Sequence, residues 1–412
     1  MTTGPLLLAA DHVAGRVSLH LLPGGAESAA LEDCHPAEHA GFLGLPGGRV
    51  AFVDDRAGAL VVLRPAAAAA GREFVAARIP VAGPAEQLAA DPSGRYVAVT
   101  TGLGKNPAPW SDLLTVADLA TGLGTRVRTR TGEPGVTVTG GRDPLVLVRH
   151  REPGELLGYR YAALQDAGPG CPKPAPAFRL PLPDDGHGDA HDPAAGRVFA
   201  ATGEGVHRFR TTDAGPSPAG PPLPWGTPGR GYFLRRDPRR GLLWSCVRGG
   251  PPEPHRWPEW TNAAWCHGLD GDGTAHTDLG PGLVFRMGVA RDRVAFARVH
   301  PDGDELVLVD PRQGPGGTLR PVVTARVPLP AMAGAPRRGG TPWEGVQRRA
   351  VAASPDADWV AVSRGGHGEV HLFDARTGAG RGTLRARTPL DEGGRLALLA
   401  PAGASREEAG GL

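Results

Sequence analysis

The 412-residue sequence is close to charge balance, with 45 Lys and Arg against 43 Asp and Glu and a formal net charge of +2. This balance gives no electrostatic reason to expect binding to nucleic acid or to an anionic membrane. The 62 glycines and 43 prolines predict many turns, while the hydrophobic content of 40% argues against disorder. Only two of the basic residues are lysine, a bias typical of a GC-rich bacterium that weakens arguments from arginine content.

The chain begins with an apolar run, Leu6–Ala10, that lacks a preceding basic segment and is too short for a signal peptide or a transmembrane helix. We interpret it as a β-strand. The four cysteines form no CxxC pair and are too sparse for a disulfide framework. A cytoplasmic location is therefore expected, although Cys246 and Cys266 could form a disulfide if they lie on neighbouring strands.

A repeating unit follows along the chain. It consists of an apolar run, a turn rich in Asp, Pro and Gly, a second run such as Val-Ala-Val, a loop, and two further runs. Gln87–Val99 and Ala350–Val362 are clear copies of its first half, and the third runs that follow them end at Asp118 and Asp374. Alternating apolar residues on both sides of such turns predict strand, turn and strand.

The first turns of these units recur at roughly 43 to 64 residues, a period that holds four short strands and is typical of β-propeller blades. They fall near Gly48, Gly94, Arg142, Gly196, Arg239, Asp292 and Asp356. An eighth unit can be assembled from both ends of the chain, with Gly394–Leu399 as the inner strand and Leu6–Ala10 and Val17–Leu22 as the next two. This pairing would remove an exposed sheet edge.

The sequence therefore predicts an all-β fold, a single β-propeller of four-stranded blades over residues 1–400. We favour eight blades, with seven as the alternative, and a ring closed by pairing the N- and C-terminal strands in one blade. Residues 401–412 are expected to form a disordered tail.

The turn sequences carry a family resemblance. Asp91–Arg95 and Asp192–Arg197 are similar to SPDGR turns, and Asp118–Gly122 and Asp374–Gly378 follow third strands. In these motifs the chain resembles the YVTN and lactonase-like β-propellers of the WD40-like superfamily, although it lacks the Gly-His and Trp-Asp pairs of true WD40 repeats. Because that superfamily includes lactonases, lyases, metallochaperones, dehydrogenase subunits and scaffolds, the resemblance implies a fold and little chemistry.

In such propellers, ligands usually lie on the face formed by the loops between the second and third strands and between blades, called here the funnel face. Half of the eight tryptophans fall in these loops: Trp110, Trp257, Trp260 and Trp343. Tryptophan supplies large contact areas at binding sites. The alternative is that each of these residues anchors a long proline-rich loop.

Alternating His187, Asp189 and His191 precede an inner strand, and this pattern would offer two imidazoles to zinc or another divalent metal. Alternate strand residues lie about 6.6 Å apart, so a further ligand such as His39 would have to contribute. The alternative is that these side chains bond to neighbouring blades.

Five further residues at the starts of inner strands would face the propeller axis and donate hydrogen bonds to a carboxylate, phosphate or enolate-like oxyanion. They are Gln87, Tyr232, Arg286, Gln347 and Arg348. We expect the pairs Arg337–Arg338 and Arg348–Arg349 to be solvated rim positions rather than catalytic groups.

These observations favour a cytoplasmic propeller that binds a small anionic or aromatic metabolite in its funnel. Catalysis stays open, with His187, Asp189 and His191 as bases or metal ligands and Arg286 as the partner of an oxyanion. One alternative is a non-catalytic scaffold that binds a peptide on the Trp-rich loops. Another is zinc carriage, which needs the histidines but no substrate.

Overall fold

The computed structural model describes residues 4–102, 104, 108–271, 273–313 and 318–400, and the tail predicted to be disordered, residues 401–412, lies outside them. The described strands form eight antiparallel sheets arranged as the blades of a β-propeller. We number both the blades and the strands in chain order; in each blade the first strand is the inner one, except in blade 1, where the inner strand is β33. The prediction of eight four-stranded blades is confirmed, and the seven-bladed alternative is wrong.

Blades 1 to 4 contain these strands: β1 (Leu6–Asp11), β2 (Arg16–Leu21), β3 (Ala26–Leu31) and β33 (Arg395–Leu399); β4 (Leu43–Leu45), β5 (Arg49–Asp54), β6 (Ala59–Leu63) and β7 (Val75–Pro80); β8 (Ala85–Ala90), β9 (Tyr96–Thr101), β10 (Asp112–Asp118) and β11 (Leu123–Thr129); β12 (Gly135–Val138), β13 (Leu145–Arg151), β14 (Gly154–Arg160) and β15 (Phe178–Pro181).

Blades 5 to 8 contain these strands: β16 (Asp189–Asp192), β17 (Arg197–Ala201), β18 (Val206–Thr212) and β19 (Gly215–Pro218); β20 (Arg230–Gly231), β21 (Arg235–Asp237), β22 (Leu242–Gly249), β23 (Thr261–Gly268) and β24 (Thr274–Asp278); β25 (Leu283–Val289), β26 (Val294–Val299), β27 (Asp304–Gln313) and β28 (Leu319–Leu329); β29 (Val351–Ala353), β30 (Trp359–Arg364), β31 (Glu369–Asp374) and β32 (Gly380–Arg385).

The two ends of the chain meet in blade 1. Its inner strand, β33, pairs antiparallel with β1 in a register that runs from Leu6 opposite Leu399 to Ala10 opposite Arg395. The predicted closure of the ring is thus confirmed, and the ladder between the terminal strands leaves neither as an open edge.

Side chains of the middle strands alternate between two neighbouring blades. In β5, Ala51 and Val53 pack against residues of blade 3, while Val50 and Phe52 pack against residues of blade 1. Because both faces of a blade are covered in this way, its central strands are apolar at almost every position rather than at every second one. The core is therefore a series of layers between blades.

Short helices occupy two connections on the outer side of the ring, α1 (Pro65–Ala69) and α2 (Tyr161–Gln165). No helix among the described residues has the length and apolar character needed to cross a membrane. The long segment 330–350 links β28 to β29 without regular structure and crosses the funnel face. Cys246 and Cys266 do lie on the paired strands β22 and β23, but they are not opposite each other, and all four cysteines are free thiols.

Candidate functional site

The inner strands of blades 6 and 7 are irregular where they approach the funnel face. In blade 6 the ladder to β22 is interrupted between β20 and β21, at residues 232–234. In blade 7 a β-bulge between Val284 and Arg286 leaves Phe285 without a partner on β26. Bulges redirect side chains, so both Phe285 and Arg286 can line the same space. These two irregularities form the centre of the candidate site.

Aromatic rings connect blade 5 to blade 7 across this region. The imidazole of His187 lies edge-on to Tyr232 and Phe233, with ring centroids 5.3 and 5.8 Å apart. Phe233 in turn contacts Phe285, at 5.6 Å and an interplanar angle of 80°. Such edge-to-face contacts stabilise ring pairs beyond the burial of their area.

The chain of contacts then returns through the funnel-face loops. The ring centroid of Trp343 lies 6.4 Å from that of Phe285 and 6.5 Å from that of Trp260. The guanidinium of Arg248 stacks on both Trp260 and Tyr232, at 4.8 and 4.3 Å from the ring centroids. We call this closed chain the aromatic circuit: His187, Tyr232, Phe233, Phe285, Trp343, Trp260 and Arg248. It forms a continuous unsaturated wall on one side of the funnel.

Two clefts share Phe285 and Arg286. The first cleft is bounded on its polar side by Arg286, Gln347, Arg348 and Arg349. Its apolar side includes Leu283, Phe285, Ala297, Val299, Pro336, Pro342 and Trp343. The second cleft is lined by Arg235 and Arg286 together with Phe233, Cys246, Phe285 and Met287.

Three of the cleft arginines have no carboxylate at ion-pair distance among the described residues. Arg286 and Arg348 form no side-chain hydrogen bond there, and Arg235 donates only to the carbonyl of Leu234, at 3.3 Å. Arg286 instead lies over Phe285 and Phe233, 4.9 and 5.9 Å from the ring centroids. Their guanidinium donors are free to bind a ligand.

The electrostatics of Arg286 indicate that these charges converge. Burial lowers the pKa of Arg286 well below its ordinary value, and the positive charges of Arg395, Arg235 and Arg348 lower it further, against the opposing effect of Glu38. The pKa of Arg395 is likewise lowered by burial and by Arg348. Like charges held close together repel, so an anion placed among them would be stabilised.

His187 is held as a neutral imidazole. Its Nδ1 donates a 2.8 Å hydrogen bond to the carbonyl oxygen of Tyr232, which leaves the lone pair on Nε2. Burial, followed by the charges of Arg151 and Arg149, lowers the pKa of His187 to about 4. The contact requires Gly188, because a Cβ at that position would lie 2.9 Å from the same carbonyl oxygen.

Asp189 and His191 do not face the clefts. Asp189 forms an ion pair of 2.9 Å with Arg149, which lies on β13 of blade 4. The side chain of Arg149 is only 2% exposed. The same guanidinium donates to the carbonyls of Gly186 and His187, so it fixes the segment that leads into β16. Asp189 therefore bonds to a neighbouring blade, which is the structural alternative to metal binding for this motif. His191 lies on β16 opposite Val198, and burial lowers its pKa to about 4.

A different trio brings potential metal ligands together on the funnel face. One ligand atom each of His12, Glu38 and Glu392 lies within 4.8 Å of the others, whereas His187 and His191 are part of no comparable trio among the described residues. Each member also has a local partner, since His12 Nε2 lies 3.1 Å from Glu392 and Arg395 lies 3.7 Å from Glu38. These local contacts account for the trio without a bound ion.

The remaining tryptophans divide between anchoring and site roles. Trp257 is fully buried beside His300 and its indole donates to the carbonyl of Arg337, which makes it a loop anchor. Trp110 is covered by Lys173, whose Nζ lies 3.8 Å from the ring centroid, and makes no ring contact with the aromatic circuit. Trp343, in contrast, is 49% exposed and lines the first cleft.

Other predicted residues lie elsewhere or have local roles. His39 pairs with Glu86 at 2.9 Å, an interaction that raises its pKa, and Gln87 lies at a bulge in β8. Neither residue lines the two clefts. Gln347 does line the first cleft, where its amide donates a 2.9 Å bond to Asp391.

One expectation about arginines is wrong. Arg349 is not on a solvated rim but has a fully buried side chain, because it pairs with Asp304 of blade 7 at 2.7 Å. Its neighbour Arg348 turns into the first cleft. Arg337 and Arg338 are exposed, as expected.

Four residues of the site were not singled out from the sequence: Phe233, Arg235, Arg248 and Phe285. Phe233 and Phe285 directly adjoin Tyr232 and Arg286, which were singled out. Strict alternation along a strand would direct such neighbours to opposite faces. The signal available in the sequence was that a phenylalanine stands beside a predicted site residue in two successive inner strands, in Tyr232-Phe233 and in Phe285-Arg286.

Fold and site together define an eight-bladed β-propeller with an aromatic, arginine-lined cleft on its funnel face. No family model matches the sequence, and no curated protein matches it.

Solved structures do share the fold. The chain is similar to apo AztD from Citrobacter koseri, with a TM-score of 0.64 and 13% identity over 96% of this chain and 98% of that one. It is also similar to a functionally unknown protein from Desulfotomaculum acetoxidans, with a TM-score of 0.56, 12% identity and coverage of 97% and 99%. The dihydro-heme d1 dehydrogenase NirN in complex with DHE gives a TM-score of 0.58 at 14% identity, over 98% of this chain and 76% of that one. At these identities the likeness shows the fold alone.

Proposed function

We propose that this propeller binds a small anionic molecule with an aromatic or otherwise flat unsaturated body in the first cleft. One observation carries the proposal: Arg286 and Arg348 line a largely apolar cleft without a carboxylate partner among the described residues. Ligand sites typically combine such an apolar lining with a few converging polar groups.

The chemistry of the two sides of the cleft defines the class of ligand. A guanidinium offers paired donors that match a carboxylate or phosphate, and its bonds to such anions are stronger than neutral hydrogen bonds. Trp343 offers an exposed indole ring to the same cleft, and the guanidinium of Arg286, which lies over Phe285, offers a second planar surface. A flat anion would therefore satisfy the arginines and stack on these planar surfaces at the same time.

Binding is favoured over turnover because of the state of His187. A general base works best with a pKa near the working pH, and the pKa of His187 is lowered to about 4. His187 also lines neither cleft, so it supports the site through its bond to the Tyr232 carbonyl.

The fold likeness adds limited support. NirN is described as a complex with DHE, so a chain of similar fold is known with a small molecule bound. We also place the chain among the YVTN and lactonase-like propellers, on the turns named above, and in the cytoplasm, on its free thiols.

A matched ligand panel tests the proposal. We would compare benzoate, 2-naphthoate and pyrene-1-carboxylate with their neutral amides by titration calorimetry. At least one acid should bind about tenfold tighter than its amide, since a charge-assisted contact is lost in the amide. Replacing Arg286 by Gln should remove that difference. The exposed Arg142, in the turn before β13, provides the control variant Arg142→Gln.

Two results would contradict the proposal. One is that no acid binds better than its amide. The other is that Arg286→Gln and Arg142→Gln behave alike.

A second candidate function is peptide binding by a scaffold, which the exposure of Trp343 (49%) and Val346 (57%) favours. That function would depend on Trp343 but not on Arg286, which lies deeper in the cleft. Loss of captured peptide in Trp343→Ala but not in Arg286→Gln would select it.

A further inference from the structure

The two clefts meet at a single pair of residues. Phe285 and Arg286 line both the first and the second cleft. The β-bulge at this point lets the aromatic ring and the guanidinium border the same space. A ligand that lies across Phe285 can therefore reach into both clefts.

Each cleft has its own second guanidinium. Arg348 lines the first cleft and Arg235 the second, and neither has a carboxylate partner among the described residues. They belong to different blades, since Arg235 lies on β21 of blade 6 and Arg348 precedes β29 of blade 8. Arg286 of blade 7 is thus the shared cation of two separate pairs.

The floor between the two ends is unsaturated. Phe233 lines the second cleft, contacts Phe285 edge-on, and lies beneath the guanidinium of Arg286. The guanidinium of Arg286 lies over both rings, so a flat body that crosses this point would stack on the planar guanidinium, which the rings support from below.

The geometry points to a ligand with two anionic groups at opposite ends of a flat unsaturated body, one bound by Arg348 and the other by Arg235, with the guanidinium of Arg286 between them. This assignment rests on the function proposed above and names its ligand class. One anionic group would leave either Arg235 or Arg348 uncompensated beside Arg286, whereas two satisfy all three cations. Besides burial, the positive charges of Arg235 and Arg348 both lower the pKa of Arg286, which agrees with such crowding.

Diacids of increasing length test the inference. Terephthalate, naphthalene-2,6-dicarboxylate and biphenyl-4,4'-dicarboxylate would each be compared with the matching monoacid by calorimetry on the full chain. For the diacid whose length fits, we expect about tenfold tighter binding than for its monoacid, because the second ionic contact forms within an already bound molecule.

The variants Arg235→Gln and Arg348→Gln should each reduce that diacid to the affinity of the monoacid, while Arg142→Gln should leave the preference intact. Urea unfolding would confirm that each variant is folded.

The outcomes separate this inference from the proposed function. If monoacids bind through Arg286 but no diacid in the series is preferred, or if only one of Arg235 and Arg348 matters, the two-ended ligand is wrong while the anion site stands. If neither acids nor diacids bind better than the neutral amides, the proposed function fails as well.

Discussion

Acid should destabilise this propeller through histidines that the fold keeps neutral. Burial lowers the pKa of His187 and His191 to about 4 and that of His150 to about 3, from 6.5. Between these values and 6.5 the unfolded chain binds a proton at each site that the folded chain does not. Stability therefore falls as the pH falls through this window.

The size of the effect follows from linkage. Between pH 7.5 and 5, each such histidine should remove about 2 kcal/mol from the free energy of unfolding, or about 6 kcal/mol for the three. The lowered pKa of His20 acts in the same direction. His39 acts in the opposite direction, because Glu86 raises its pKa, but its side chain is 53% exposed and the effect is screened.

Urea unfolding at four pH values between 7.5 and 5 measures this loss. His187→Asn and His191→Gln should each reduce the loss by about 2 kcal/mol, the share of one histidine. His255→Gln, at an exposed position, should leave it unchanged. The reasoning is refuted if the first two variants lose as much stability as the wild type.

Three further changes test how the site is supported. Arg149→Met should lower the free energy of unfolding by urea by about 3–5 kcal/mol, because it leaves the largely buried Asp189 unpaired. The double variant Arg149→Met with Asp189→Leu should lose less. An equal or larger loss in the double variant would argue against a buried ion pair. Gly188→Ala should lower the free energy of unfolding by about 1–3 kcal/mol and weaken ligand binding, because the new Cβ would meet the Tyr232 carbonyl. The control Gly380→Ala, which has open space around the added Cβ, should do neither. Equal effects of the two variants would contradict the close approach at Gly188. A thiol reagent should modify Cys171 in the folded protein but not the other three cysteines, whose pKa values burial raises to about 11 or 12; modification of all four before unfolding would contradict this burial.

The fold was predictable because its signals are local. Turn residues and alternating apolar runs recur in every blade, and the short period leaves little room for other elements. The terminal strands illustrate this point: Leu6–Asp11 pairs with the next strand, Arg16–Leu21, along one edge only, and joining its other edge to Arg395–Leu399 removes the free edge.

The candidate site was predictable only in part, because its geometry depends on contacts between blades. Arg348 and Arg349 are adjacent and chemically identical, and both border the first cleft, yet Asp304 pairs with Arg349 and leaves Arg348 without a carboxylate partner among the described residues. The bulge at Phe285 also has no local signature. Residue type and position along the strand, which a sequence does show, were enough to select Tyr232 and Arg286.

The arrangement of carboxylates supports an anionic ligand more strongly than the arginine content does. The chain as a whole carries almost no net charge. On the funnel face, however, Glu392 and Glu38 are engaged by His12 and Arg395. These two carboxylates thus have other partners, and the three guanidiniums of the clefts have no carboxylate at ion-pair distance among the described residues. A local excess of positive charge within a neutral chain, held against aromatic rings, is the arrangement that an anion with an unsaturated body would neutralise.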